Sequence, residues 1–136
     1  MQKPVLRPIA VPMRDAFIKV TALHWTENAG LSVELISKQT QRFFAVKFQA
    51  VEGVRSLHEL DLASFWLSSE KQTLSSSYLF EVCSGGWLEL EATRQDFYTK
   101  HEASQPREYL IAGYQECVSV LSFSEPELQE LPHAGA

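Results

Sequence analysis

The apolar residues of this chain come in short runs broken by turn-forming residues, a spacing that limits it to a fold built mainly from strands. The clearest case lies between residues 77 and 92. There SYLFEVC and WLELEA flank Ser84-Gly85-Gly86. Glycine reaches positive φ without a steric cost, which tight hairpin turns need. A hairpin is therefore expected, with Tyr78, Phe80 and Val82 on one face of its first arm. On the second arm Leu88 and Leu90 share a face, and Trp87, Glu89 and Glu91 share the other, because side chains alternate along a strand.

The remaining runs extend this pattern. AFIKVTALHW (16–25) and LSVELISK (31–38) flank the turn signal Glu27-Asn28-Ala29-Gly30, which predicts a hairpin over 16–38. The first of these runs alternates imperfectly. Phe17, Leu23 and Trp25 have one parity, and Ile18, Val20 and Ala22 have the other. RFFAVKFQAV (42–51) alternates well, and GVRSLHELD (53–61) has mixed character. Asp61 is a good N-cap for a short helix over 62–69, since Leu62, Phe65 and Trp66 fall at helical spacing. The polar stretch 68–77 reads as a mobile loop, and 93–107 as a loop with room for one helical turn. REYLIAGY (107–114) and CVSVLSFS (117–124) supply a last pair of strands.

These runs predict a mainly β fold, with α+β as the alternative. About eight strands would form an antiparallel meander, either a curved sheet or an open barrel, with one short helix over one end. A length of 136 residues suits a single domain. Residues 1–14 carry Pro4, Pro8 and Pro12 and read as an extended arm. Residues 125–136 read as an acidic tail that frays at its end.

Composition narrows the function classes. The net charge is −5, and from Glu108 onward the chain holds five acids and no lysine or arginine. Such a surface repels phosphate backbones and attracts basic proteins, so a protein partner is expected and nucleic acid is not. No apolar stretch is long enough to span a membrane, and the three prolines interrupt any signal-peptide core, so a cytoplasmic location is expected. Cys83 and Cys117 stand outside any CxxC pattern, with no histidine at ligand spacing. Both read as buried free thiols, with a disulfide open only if their strands are neighbours. No metal or cofactor is expected.

The sequence carries no phosphate-binding glycine loop, nucleophile elbow, HExxH or EF-hand motif. The chain is therefore expected not to be an enzyme. A small catalytic cleft would need Cys83, Glu81 or one of the histidines (His24, His58, His101, His133) to converge with another polar group. The candidate partner-binding residues are Trp87, Glu89 and Glu91, joined by Glu108 and Glu116. An aromatic beside carboxylates on an exposed sheet face is a pattern of protein recognition.

The run YLFEVCSGGWLELEA (78–92), with REYLIAGYQECVSVLSFSEPEL (107–128) downstream, resembles small bacterial immunity proteins of polymorphic or contact-dependent toxin systems. The resemblance spans residues 54–128. It implies a short, acidic, cytoplasmic, catalytically inert protein that binds a cognate toxin domain, often a basic nuclease, and blocks its active site. A small-ligand-binding β-barrel is the alternative, as is a homodimeric module that pairs through exposed strand edges.

Overall fold

The computed structural model describes residues 3–13, 15 and 17–134. Positions 1, 2 and 14 of the expected arm, position 16 at the start of the first hairpin, and positions 135 and 136 of the expected tail lie outside the described residues. The strands are β1 (Val5–Pro8), β2 (Ile18–Thr26), β3 (Gly30–Ser37), β4 (Phe43–Phe48), β5 (Val51–His58), β6 (Leu79–Ser84), β7 (Arg107–Ala112), β8 (Glu116–Ser122) and β9 (Glu127–Leu131). Three short helices lie among them: α1 (Ala63–Ser68), α2 (Lys71–Ser76) and α3 (Trp87–Ala92).

The strands form two antiparallel sheets, ordered β1-β6-β7-β8-β5 and β2-β3-β4-β9. The expected β-rich antiparallel fold is present, and β2-β3-β4 and β6-β7-β8 are meanders. One curved sheet or open barrel is not what forms, because the chain changes sheet after β4. The amides of Gln49 and Ala50 both donate to Ser124 Oγ, at 2.9 and 3.1 Å, and the Phe123 amide donates to the Ala50 carbonyl at 2.8 Å. These bonds tie the turn to the end of β8, so β5 pairs with β8 and leaves β4 to β9.

The two sheets stack through one apolar layer. Ile18, Val20, Leu31, Val33, Leu35, Phe44, Val46 and Phe48 come from the smaller sheet. They meet Leu79, Tyr109, Ile111, Val118 and Val120 of the larger one. Phe48 and Tyr109 touch across the layer with ring centroids 5.6 Å apart. Truncating an aromatic ring here, as in Phe44→Ala, would cost about 3–5 kcal/mol in transfer and cavity terms.

The outer face of the larger sheet is also covered. Leu6, Phe80, Val82, Leu110 and Cys117 pack beneath Leu62, Phe65 and Trp66, and Leu74 of α2 joins them. The larger sheet is therefore buried on both faces, which is why β7 and β8 read as continuous apolar runs.

Several expectations change. The start of the extended arm is a strand of the larger sheet, since β1 pairs with β6. The acidic tail contributes β9, which pairs with β4. The polar stretch 68–77 contains α2 rather than a loop alone. Cys83 is exposed while Cys117 is buried; both are free, and β7 separates their strands.

The second arm of the expected 77–92 hairpin is the helix α3. WLELEA consists mostly of good helix formers, and contacts at helical spacing stabilise it. Trp87 Nε1 donates to Glu91 Oε1 at 3.1 Å, and Arg94 Nε donates to Glu91 Oε2 at 2.6 Å. Glu89 reaches back to accept from the Gly85 amide at 2.8 Å.

Candidate functional site

The five residues singled out from the sequence do not form one surface. Trp87, Glu89 and Glu91 sit on α3, where a spacing of two does not put side chains on one face. Trp87 is half-buried, with the Arg55 guanidinium 5.0 Å over its ring. Glu108 is only 2% exposed, so it cannot be a surface contact. Its Oε1 accepts from the Leu88 amide at 2.8 Å, and its Oε2 is buried without a hydrogen-bond partner. Burial raises its pKa, against the lowering effect of the Leu88 and Trp87 amides and of Arg55. Gly86 makes this arrangement possible, since a Cβ there would come within 2.6 Å of Glu108 Oε1. The group is a helix cap built from a buried acid. Glu116 is exposed and lies at the other end of the sheet, opposite His58. Five residues along β8 separate it from Leu121, the neighbour of Glu108, or roughly 17 Å.

A different region gathers exposed apolar side chains. The stacked sheets have two sides where edge strands meet: β2 with β5, and β1 with β9. On the first side Phe17 is 46% exposed, Leu23 36%, Trp25 52% and Tyr114 42%. The Phe17 and Tyr114 rings meet edge to face at 5.5 Å. The Tyr114 amide donates to the Ile18 carbonyl at 2.7 Å, which pins the β7–β8 turn against one end of β2.

The imperfect alternation of β2 explains this exposure. Val20 faces Leu35, but Ala22 faces Glu34, so Thr21 is one extra residue in a bulge. The bulge brings Leu23 and Trp25 onto the same face as Ile18 and Val20. Leu23 lies opposite buried Val33, and Trp25 opposite buried Leu31. All four therefore point towards the space between the sheets. The two beyond the bulge overhang its edge and stay wet.

Two clefts open along this side. One, of about 470 Å³, lies between Trp25 and Glu27 of the β2–β3 hairpin and Gln49 to Val51. The other, of about 380 Å³, lies between Lys19 and Val20 on β2 and Ser56 to His58 on β5, beside Tyr114 and Glu116. Glu27 and Glu116 thus stand at opposite ends of an apolar stripe, with Lys19 between them. Glu116 belongs to this region and the other four expected residues do not. The sequence signal for it was the imperfect alternation of residues 16–25, which the bulge at Thr21 produces. What the sequence lacked was any sign that β2 is an edge strand.

His58 lines the second cleft with Glu116, and its Nδ1 accepts from the Leu60 amide at 3.1 Å. Among the described residues no three of His, Cys, Asp and Glu are placed to hold a metal ion, and no helix is long and apolar enough to cross a membrane. Burial pushes the Cys117 thiol up to about 12, only partly countered by its contact with the Gly113 carbonyl. No protein-family model matches the chain, and no curated protein or solved structure matches it either.

Proposed function

We propose that this chain is a non-catalytic protein-binding domain that holds its partner on the side between β2 and β5. The observation that carries this reading is that Phe17, Tyr114, Leu23 and Trp25, all exposed, gather on one side of the molecule beside two open clefts. Exposed aromatics beside an apolar cleft are the usual anchors of an interface. The partner is basic, since the chain carries −5 and the stripe ends in Glu27 and Glu116. In its specific form the domain is an immunity protein that neutralises a cognate bacterial toxin domain, the role implied by the resemblance of residues 54–128. The small-ligand barrel has less support, because the space between the sheets is filled by Phe44, Phe48 and Tyr109.

The test is co-expression with the C-terminal domain of the protein encoded beside it, followed by Trp25→Ala and Leu23→Ser. The expected result is a stable complex that each substitution weakens by about tenfold or more. No complex, or a complex indifferent to both changes, would overturn the reading.

A further inference from the structure

The hydrogen bonds at the start of β2 show which of its peptide groups face solvent. The Lys38 amide donates to the Phe17 carbonyl, so that pair is bonded across the ladder. The next residue, Ile18, turns its groups the other way: its carbonyl accepts from Tyr114 and its amide donates to Asp15. In an antiparallel ladder bonded and non-bonded pairs alternate. Carried through Val20 and across the bulge, this alternation points the peptide groups of Val20, Leu23 and Trp25 away from β3. No turn or loop backbone hydrogen bond among the described residues reaches those groups.

The opposite side of the sandwich shows what such an edge accepts. There the chain itself lies along the opening as an extended segment. Ile9, Val11 and Met13 alternate into the core, and the Ile9 amide donates to the Leu79 carbonyl at 2.9 Å. Just before them stands Arg7, ion-paired with Glu81. The fold thus closes one side with an extended strip that has apolar residues at alternate positions and a basic residue. The β2 side has an apolar floor and acidic ends, and no such strip among the described residues.

We infer that the partner supplies it: an extended, basic segment of another protein adds to sheet β2-β3-β4-β9 as a fifth strand along β2. Its main chain bonds to Val20, Leu23 and Trp25, and its alternate apolar side chains rest on Leu23 and Trp25. Its basic residues meet Glu27 and Glu116. This rests on the proposed function and adds the mode of capture and the chemistry of the captured segment.

The probe is a nonapeptide of alternating valine and lysine, offered to the full chain and followed by amide hydrogen exchange. The expected result is binding that slows exchange at Leu23 and Trp25 by about tenfold or more. Methylating the peptide's backbone nitrogens on its bonding edge should abolish binding without altering the protein. Leu23→Pro should do the same from the protein's side, since proline is tolerated where an edge-strand amide faces solvent.

If the methylated peptide binds equally well while Trp25→Ala weakens it, the surface stands and strand addition is overturned. If neither change matters, both readings fall. If Leu23 and Trp25 are already protected before peptide is added and the chain sediments as a dimer, a second copy occupies the edge and the inference is overturned. No binding of the unmodified peptide at millimolar concentration would overturn it as well.

Discussion

The two sides of this sandwich solve the same problem differently. Each has a pair of edge strands and apolar residues at the margin of the core. On the β1/β9 side the chain covers them with the segment 9–13, and ion pairs tie the edge strands to their own sheets. Arg42 binds Glu130 of β9 through Nε at 2.9 Å and Nη2 at 2.5 Å, and Glu81 takes Arg7 and, at 4.0 Å, Arg107. What remains is a crevice of about 240 Å³ beside Tyr109 and Pro126. On the β2/β5 side nothing of the kind is laid down, and two larger clefts stay open. Edge strands are usually guarded against unwanted pairing. The bulge at Thr21 and the charge of Lys19 guard β2 only at its first half. Cover is thus available to this fold, and among the described residues the side that carries Phe17, Leu23, Trp25 and Tyr114 goes without it.

The comparison breaks most directly through substitution on each side. On the covered side the double change Ile9→Ser and Val11→Ser removes apolar cover from the core. It should cost about 2 kcal/mol or more. On the open side Leu23→Ser and Trp25→Ser remove side chains that are wet in the free protein, and each should stay within about 0.5 kcal/mol. Urea unfolding of the two sets checks this. Equal losses on both sides would mean that Leu23 and Trp25 belong to the core, and the open side would lose its claim to a partner.

How much of this could be read from the chain follows from where information is local. The strand runs were legible because alternation is a property of neighbouring residues. The helix α1 was legible because Leu62, Phe65 and Trp66 share a helical face. WLELEA was misread because its alternation of large and acidic residues fits a strand as well as a helix. The deciding contact is the Leu88 amide on Glu108, twenty residues downstream. The tail looked free because its acids suggest solvent, yet Leu128 and Leu131 are enough to seat β9 against β4. Edges were invisible, since which strand ends a sheet depends on pairings between distant segments. Trp25 went unnoticed for that reason, whereas the expected acidic patch failed because Trp87, Glu89 and Glu91 lie on α3 and Glu108 is buried.

The acidic residues at α3 sharpen the comparison, because they serve the fold and not the open side. Glu108 has a raised pKa in the folded chain, chiefly through burial. The unfolded chain gives up this proton at lower pH than the folded one. The residue therefore weakens the fold increasingly as pH rises above the ordinary carboxylate range, and the penalty fades as pH falls back to it. Glu108→Gln keeps an oxygen for the Leu88 amide and removes the buried charge. It should stabilise the protein by about 1 kcal/mol at pH 8, with the gain shrinking towards pH 4.5 in thermal melts. Partner binding should not change. A gain independent of pH would show that the folded and unfolded chains hold this proton equally and that burial does not raise the Glu108 pKa, and a loss of binding would return α3 to the interface.

The smallest effect tests how the covered side is held. Tyr78 is 2% exposed beneath that side, with its hydroxyl buried and without a hydrogen-bond partner. If packing closes this margin, the hydroxyl contributes nothing. Tyr78→Phe should then be neutral or stabilising by less than about 1 kcal/mol at pH 7. Burial pushes this phenol up to about 12, with Arg42 acting the other way. It stays neutral in the folded chain while the unfolded chain ionises near 10, so wild-type stability falls as pH rises from 10 towards 12. The phenylalanine variant lacks that fall, and melting the two proteins between pH 7 and pH 11 should show their curves separating only above pH 10. A substantial loss for Tyr78→Phe at pH 7 would mean that the hydroxyl is bonded in solution. A polar network, and not the apolar strip alone, would then close the side that the open one is measured against.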